Sequence, residues 1–406
     1  MGTDSKDATR SLEASSVLGL LTRRPRLLAL GEPTHCEETL LEVRNDLFRQ
    51  LVEEAGYRTI AMETDCLTGL TVDAYVTSGS GTLDEVMEHG FSHGWGAFAG
   101  NRDLVRWMRA HNADRPASEQ IRFAGFDGPL EITGAASPRQ ALTALHDHLA
   151  PHLPGLLPCT RDTLDALLGP DDHWTNQAAM TAPGRSVGRS PEADRLRLLA
   201  DDLTALLDAQ TPHLLSTASR ESWTRARLYA RTATGLLRYH YLMADTSPAR
   251  MPRLLGQRDA MMAENLLATV DRGPTLVHAH NSHLQRVQSS MRMWDHPLVE
   301  WWSAGALVNA RLGPEYAFVA TALGTIRHQG VGAPAPDTLE GHLHELPGDR
   351  GLFDPAQLAA TFGDTLPVPR ESPWFGYAPL APSHLPHIDA LLYVKDMAAP
   401  ESAPVG

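Results

Sequence analysis

The segment Glu32-Pro-Thr-His35 places a carboxylate three residues before an imidazole. A neutral imidazole can take a proton from water, a step worth typically about 10²–10⁴-fold in rate. The carboxylate of Glu32 could orient the ring of His35 and stabilise the imidazolium that forms. We therefore interpret this pair as a general base and its orienting group. A solvated pair of loop charges is the alternative for so short a motif.

A second segment, His278-Ala-His280-Asn281-Ser282-His283, puts three imidazoles within six residues. Its spacing matches the His-x-His-x-Asp-His run of dinuclear metallo-β-lactamase-like hydrolases, except that Ser282 stands where that run has Asp. In that fold the run comes early, whereas here it lies two-thirds along the chain. A zinc site is thus one interpretation. A hydrogen-bonded core histidine is another, especially for His278.

The candidate residues lie where predicted strands end. Short apolar runs predict buried strands at residues 26–30, 59–62, 121–126, 275–280, 317–323 and 389–394. Glu32, Glu63 and Asp127 follow the first three of these strands, and His280 ends the fourth. Because the carboxyl ends of parallel strands leave a crevice at one edge of a sheet, these side chains are expected to converge there.

A helix is predicted after the first strand. Thr34 and Glu37 form a capping-box pattern ahead of an apolar repeat of helical spacing, which closes at Ala55-Gly56. His35 would then lie in the first helical turn, where the positive end of the helix dipole disfavours a second positive charge and keeps the ring neutral.

Arg44 falls on the apolar face of this predicted helix. A buried guanidinium needs a partner, because an uncompensated buried charge is very costly, and Glu63 or Glu32 could supply it. A structural ion pair and a catalytic group are the two interpretations of Arg44. Both place it at the same crevice.

The pattern of elements predicts an α/β fold with a mixed, mostly parallel central sheet flanked by helices and a large helical insertion or lid. We divide the chain into a first core part (1–136), the insertion (137–272), a second core part (273–396) and a frayed tail (397–406). A Gly/Pro/Ser-rich loop at 182–191 breaks the insertion. Residues 329–373 are dense in Pro and Gly and are expected to run over the surface.

Composition excludes several classes of protein. A formal net charge of −14 argues against nucleic acid as a partner, since binding a polyanion needs clustered cations. The polar residues 1–10 lack a secretory pattern, and the apolar runs are too short to span a bilayer. Cys36, Cys66 and Cys159 form no CxxC pair, which fits a reducing cytoplasm.

With these residues in hand, the chain resembles the erythromycin esterase family over most of its length. The matching motifs are Leu30-Gly-Glu32-Pro-Thr-His35, Arg44, Ala61-Met-Glu63-Thr-Asp65, Asn101-Arg-Asp-Leu-Val-Arg-Trp107, Phe123-Ala-Gly-Phe-Asp127, Arg258-Asp259, Glu264-Asn265, Ala279-His280-Asn281-Ser-His283 and Asp389-Ala-Leu-Leu-Tyr393. Members of this family hydrolyse macrolide lactones. The resemblance also implies a mixed α/β core with an added helical part.

The resemblance implies that His35 is the base that activates water. Its catalytic neighbours would be Glu32, Arg44, Glu63, His280 and His283. We assign Trp95, Asp127, Asn281 and Arg258 to substrate binding. The stretch 90–100 around Trp95 and the region 150–192 differ from the macrolide-inactivating members, and both would contact substrate.

The interpretation that we favour is a hydrolase that opens an ester or macrolactone of a small molecule, without metal or cofactor. Three alternatives remain open. One is a biosynthetic acid–base enzyme of the same family that forms a lactone, cyclises or eliminates. The others are a metal-dependent hydrolase and a protein that binds an antibiotic without turning it over.

Overall fold

The computed structural model describes residues 11–35, 37–131, 134–292, 298–363, 365–372, 374 and 376–399. Its strands are β1 Leu27–Glu32, β2 Thr59–Asp65, β3 Arg122–Asp127, β4 Leu130–Glu131, β5 Gly134–Ala135, β6 Thr275–His280, β7 Gln288–Met291, β8 Val299–Trp302, β9 Tyr316–Thr325, β10 Arg350–Phe353 and β11 Ala390–Asp396. Its α-helices are α1 Ala14–Leu20, α2 Glu38–Ala55, α3 Gly69–Ser78, α4 Leu83–His89, α5 Ala99–Asn112, α6 Arg139–Leu149, α7 Arg161–Leu168, α8 Asp171–Trp174, α9 Ala178–Thr181, α10 Pro191–Ala209, α11 Thr211–Thr217, α12 Arg220–Met243, α13 Arg250–Thr269, α14 Asn281–Leu284, α15 Ala304–Leu312, α16 Leu339–His344 and α17 Pro355–Phe362.

Seven strands form one sheet in the order β10-β11-β9-β1-β6-β2-β3. All neighbours run parallel except β10, which is antiparallel to β11 at one edge. Every residue of β1 is buried, as expected for a central strand covered on both faces. The predicted fold class, a mostly parallel mixed sheet flanked by helices, is confirmed.

The two faces of the sheet carry separate apolar cores, because successive side chains of a strand point to opposite faces. Leu28 and Leu30 of β1 pack in one core with residues of α2, α3 and α5, including Phe48. Leu27 and Ala29 pack in the other core with residues of α13 and α15. The sheet is therefore packed between two helical layers, which fix the side chains at the carboxyl ends of its strands.

The helices α6 to α13 lie between β3 and β6 in the chain, and the predicted helical pattern of this region is confirmed. The helices of the insertion share apolar clusters of their own, while α13 also packs against β3 and α15. The proposed domain boundaries and the role of this region as a lid remain predictions. Among the described residues, no helix is both long and apolar enough to cross a membrane.

The predicted start of the helix after β1 is wrong. Helix α2 begins at Glu38, and no side chain caps it. Thr34 instead forms an isolated antiparallel bridge with Tyr377, so its backbone is taken up by a distant segment of the chain. His35 therefore precedes the helix, and the dipole argument for its neutrality does not apply. The predicted end is confirmed, since Gly56 caps α2 in the left-handed conformation at φ 64°.

The expectation that residues 329–373 only run over the surface is also wrong. This segment supplies the edge strand β10 and the helices α16 and α17, and Glu340 within α16 is completely buried. A strand of four residues and helices this short are too brief to show periodicity among many Pro and Gly residues. The residues 1–10, Cys36 and residues 400–406, which include most of the predicted tail, lie outside the described residues.

Candidate active site

The polar residues at the carboxyl ends of β1, β2, β3 and β6 meet in one crevice. Glu32 and His280 are paired in register at the ends of β1 and β6. The backbone N–H of His280 donates to Oε2 of Glu63 over 2.9 Å, which ties β2 to the same point. The buried carboxylate of Asp127 ends β3. The strands thus bring together the segments that the sequence placed there.

His35 and Glu32 form a close pair at the centre of the crevice. Nδ1 of His35 lies 2.7 Å from Oε1 of Glu32. Nε2 of His35 lies 3.9 Å from Oε1 of Glu63, beyond hydrogen-bond distance. The His35 side chain is 34% exposed, whereas that of Glu32 is only 4% exposed. One ring nitrogen is therefore held by a buried carboxylate, and the other is free toward solvent.

Aromatic rings flank the His35 imidazole. The ring centroid of Trp95 lies 5.1 Å from that of His35, and the centroid of His280 lies 5.2 Å from it on tilted planes. Trp95 is itself buried and belongs to the 90–100 stretch that the sequence assigned to substrate contact. It forms a wall of the crevice beside His35, and its contact with a substrate stays a prediction.

Charge in the crevice raises the proton affinity of His35. Burial alone would lower the pKa of His35, but the charge of Glu63 and the hydrogen bond to Glu32 raise it above its usual value. Burial opposes ionisation of Glu32, yet His278 and His35 hold the pKa of this carboxyl far below its usual range. Glu32 is therefore ionised and makes His35 a stronger base. A helix dipole was expected to keep His35 neutral, whereas the neighbouring carboxylates raise its pKa.

His278 is buried beside Glu32. Its Nδ1–H donates to the carbonyl of Leu30 over 3.2 Å, as expected for a hydrogen-bonded core histidine. Its Nε2 lies 3.2 Å from Oε2 of Glu32, but neither atom completes a hydrogen bond. His278 thus supports the inner side of the carboxylate that holds His35.

Arg258 connects two buried carboxylates. Its Nη2 lies 2.6 Å from Oδ2 of Asp127 and 3.4 Å from Oε1 of Glu63, and its Nε faces both oxygens of Asp127 at 3.2 Å. Although burial opposes it, the charge of Arg258 lowers the pKa of Asp127 to about 2. The guanidinium fills the space between the two acids. The predicted substrate contacts of Arg258 and Asp127 stay predictions.

His283 is held by an acid that the sequence interpretation left out. Its Nδ1 lies 2.5 Å from Oδ1 of Asp259, whose other oxygen accepts the indole N–H of Trp301. Its Nε2 lies 3.4 Å from Oε1 of Glu63. Against the effect of burial, Asp259 and Glu63 raise the pKa of His283 to about 9, so the ring is protonated at neutral pH. The position of Asp259 directly after Arg258, in a quoted motif, was the available signal.

His280 is neutral and its ring nitrogens are engaged. Nδ1 accepts the backbone N–H of Ser282 over 3.2 Å and lies 2.6 Å from the Ser282 hydroxyl. Nε2–H donates to the carbonyl of Pro33 over 3.2 Å. Burial and the neighbouring His35 lower the pKa of His280 to about 4. His280 therefore positions the segment before His35 as well as lining the site.

Arg44 is completely buried on α2, as predicted, but its expected ion pair with Glu32 or Glu63 is wrong. Among the described residues, no carboxylate oxygen lies within 4.0 Å of its guanidinium. Its Nη1 donates to the side-chain oxygen of Asn101 over 2.8 Å, and its Nη2 to that of Asn45 over 2.7 Å. Burial lowers the pKa of Arg44 to about 10. Neutral amides thus replace the expected acid.

Asn281 is bound to the sheet. Its Nδ2 donates to the carbonyl of Thr321 over 2.8 Å, and its Oδ1 accepts the Thr321 N–H over 3.3 Å. The side chain is buried, and its amide forms hydrogen bonds with the backbone of β9 as a neighbouring strand would. Its assignment to substrate binding stays a prediction, and its amide has a structural partner on both sides.

His93 joins the crevice although the sequence interpretation did not select it. Its Nδ1 lies 2.7 Å from Oε2 of Glu131, its Nε2 lies 3.4 Å from Oδ2 of Asp127, and its ring centroid lies 5.4 Å from that of Trp95. Against burial, the two carboxylates raise the pKa of His93 to about 9. It is the one described non-glycine residue with positive φ, at 58°. The following Gly94, also left-handed, was the only local sign of this turn.

The arrangement can abstract a proton and accept negative charge. His35 offers a basic nitrogen, and the cations Arg258 and His283 approach the same Oε1 of Glu63 that faces Nε2 of His35. Among the described residues, no group of three or more His, Cys, Asp or Glu side chains has the geometry of a metal site.

Comparison with known proteins finds a similar protein in Escherichia coli. Erythromycin esterase type II of Escherichia coli is 23% identical over 278 residues, which cover 64% of this chain and 61% of that protein. The chain therefore matches less than two thirds of the length of this relative.

Solved structures share the fold. A Bacillus cereus protein superposes with a TM-score of 0.70 at 16% identity, covering 96% of this chain and 94% of its own. A succinoglycan biosynthesis protein gives 0.68 at 15% identity, with 98% of each chain covered. A mutant of the erythromycin esterase EreC in its open conformation gives 0.67 at 16% identity, covering 98% of this chain and 99% of its own.

The sequence model of the family described as erythromycin esterase matches residues 52–396. The match begins near the end of α2, so Glu32, His35 and Arg44 lie before it, while Glu63, Asp127, Arg258 and the 278–283 segment lie within it. Because this match covers most of the chain, the protein belongs to the erythromycin esterase family.

Proposed function

We propose that this protein hydrolyses an ester or lactone, with His35 as the base that takes a proton from water. The observation that supports this most directly is the asymmetry of the His35 ring. Its Nδ1 is held 2.7 Å from the ionised, buried Glu32, while its Nε2 is unbonded on a side chain that is one-third exposed. A base needs one nitrogen fixed and the other open to its reactant.

Glu32 selects the reactive tautomer. Its carboxylate accepts Nδ1–H, which leaves the lone pair on Nε2 directed into the crevice. A water that bridges Nε2 of His35 and Oε1 of Glu63, which lie 3.9 Å apart, would donate one hydrogen bond to each, so that its own lone pair points at the substrate carbonyl. When the proton moves to Nε2, the charge of Glu32 stabilises the imidazolium.

His283 is the group that we assign to the developing oxyanion. Of the sequence candidates, Arg44 is completely buried, and the Nε2–H of His280 is bound to the Pro33 carbonyl. His283 is protonated at neutral pH, and its side chain is 11% exposed at the crevice. A fixed cation in a buried site stabilises a charge that forms only in the transition state.

We further propose that the reaction needs no metal ion. A divalent ion between Glu63 and Asp127 would have to displace the Arg258 guanidinium, which lies 3.4 Å from Glu63 and 2.6 Å from Asp127. His283, which faces Glu63 as well, is itself cationic. Two protein cations thus neutralise the acids that a metal would need as ligands.

A macrolide lactone is the substrate class that the family suggests. Incubating limiting protein with excess erythromycin in ¹⁸O-labelled water tests this and separates turnover from binding. We expect ring-opened product in many-fold molar excess over protein, with one labelled oxygen in the new carboxylate. Retention of intact lactone at one equivalent per protein would instead identify a binding protein. A panel of simple lactones extends the test if erythromycin itself does not fit.

A further inference from the structure

A second cleft lies away from the crevice, along the outer edge of β3. Its volume is about 400 Å³, and its walls come from β3, α3 and the insertion helices α12 and α13. Its lining runs from Arg58 and Arg122, at the amino ends of β2 and β3, to Cys66 and Gly125 nearer their carboxyl ends. It shares no lining residue with the proposed active site.

The cleft concentrates positive charge in an acidic protein. Its lining arginines are Arg58, Arg122, Arg220, Arg225, Arg231 and Arg272. Two lining carboxylates, Asp73 and Glu221, leave a local excess of four positive charges. The whole chain has a formal net charge of −14. The arginine cluster is therefore a local feature of the cleft, because the protein as a whole is acidic.

Both carboxylates are already occupied. Nε of Arg122 donates to Oδ1 of Asp73 over 2.9 Å, and Nη2 of Arg122 lies 3.3 Å from Oε1 of Glu221. Nη2 of Arg225 shares the same oxygen of Glu221 at 3.7 Å. In the part of the chain that the structure describes, the other four arginines have no carboxylate within 4.0 Å.

Arg231, one of these four, is half-buried on α12. Its one side-chain hydrogen bond in the described residues is from Nε to Oδ1 of Asn265, over 3.3 Å. Burial lowers the pKa of Arg231 to about 10, and the nearby Arg227 and Arg272 act in the same direction. A guanidinium in this setting is unfavourable without a counter-ion, and a bound oxyanion would supply one.

We propose that this cleft binds a small molecule through a phosphate group. Arginine presents a planar fork that matches phosphate oxygens, and a phosphate carries more charge and more acceptor oxygens than one carboxylate. Several guanidiniums without acid partners therefore favour phosphate. The volume of about 400 Å³ suits a small ligand. The negative charge of the remaining surface disfavours a nucleic-acid chain.

Calorimetric titration of the full-length protein with pyrophosphate at low ionic strength tests the proposal, since salt screens such contacts. We expect one site per chain in the wild type. Arg231→Gln and Arg272→Gln should each weaken binding about tenfold, because each removes a charge-assisted contact. Arg238→Gln is the matched control, since Arg238 is an exposed residue of the same helix outside the cleft. It should bind like the wild type.

Melting temperatures accompany each titration. Arg272 is exposed, so its variant keeps the test informative if Arg231→Gln unfolds. No measurable binding of pyrophosphate to the wild type would overturn the proposal, as would equal affinities in the Arg272 and Arg238 variants. Tighter binding of citrate than of pyrophosphate would overturn the assignment to phosphate. None of these outcomes depends on the esterase activity.

Discussion

Replacing Glu32 with Gln removes the negative charge beside His35 while keeping a side chain of nearly the same shape. The Gln oxygen can still accept Nδ1–H of His35 at the position where Oε1 lies 2.7 Å away. The Gln amide nitrogen would face Nε2 of His278, which lies 3.2 Å from Oε2 without a hydrogen bond. We therefore expect the His35 tautomer and the local packing to survive. Only the negative charge beside the imidazolium is lost.

The size of the effect follows from the type of hydrogen bond that is replaced. A hydrogen bond to a charged group contributes about 1.5–3 kcal/mol, and one between neutral groups about 1 kcal/mol. The difference of about 0.5–2 kcal/mol corresponds to a loss of about 2- to 30-fold in kcat/KM, since about 1.4 kcal/mol is a factor of ten. The pKa of His35 should fall as well, because Glu32 is one of the groups that raise it.

The pH dependence of kcat/KM is the assay. His35 must be neutral to act as a base, so wild-type activity should fall as the pH drops through a pKa that lies above the usual histidine value of about 6.5. In Glu32→Gln this acidic limb should move to lower pH. Glu88→Gln, at an exposed carboxylate, is the matched control. An unmoved limb with full activity in Glu32→Gln would refute the role of Glu32.

Three further results are expected. Arg258→Leu should lower the free energy of unfolding by about 3–5 kcal/mol, because Asp127 and Glu63 would be left as buried acids without their cation, and chemical denaturation measures this. The pKa of His283 is raised to about 9, above its unfolded value of about 6.5. Protonated His283 therefore stabilises the fold fully below about pH 6.5, and this contribution is lost as the pH rises through about 9. Because Asp259 helps to raise this pKa, Asp259→Asn should flatten the decline in melting temperature between these two pH values. Activity should survive dialysis against a strong chelator, and loss of activity that zinc restores would contradict the metal-free proposal.

Local patterns were sufficient to predict the frame of the site. Buried parallel strands leave continuous apolar runs in the sequence, and β6 was predicted with its observed bounds. Polar residues that interrupt such runs at their ends, such as Glu32 and Glu63, must face the crevice where parallel strands finish. Their convergence therefore followed from strand prediction alone.

Contacts between distant segments were not predictable in this way. The capping pattern at Thr34 was locally sound, but the backbone of Thr34 pairs with Tyr377, more than 300 residues later in the chain. Arg44 was expected to pair with Glu63 or Glu32, whereas the cation beside Glu63 is Arg258 on α13. That choice depends on how the insertion packs onto β3, which no local period encodes.

The central claim is that His35 is the base, and the turnover of His35→Asn tests it most directly. His89→Asn is the control, because His89 is an exposed histidine on α4 that lies outside the site. With the lactone that the wild type turns over best, we expect His35→Asn to lose at least about 10²-fold in kcat at an unchanged melting temperature, while His89→Asn keeps full activity. If folded His35→Asn retained a tenth or more of the wild-type kcat, His35 would not be the base.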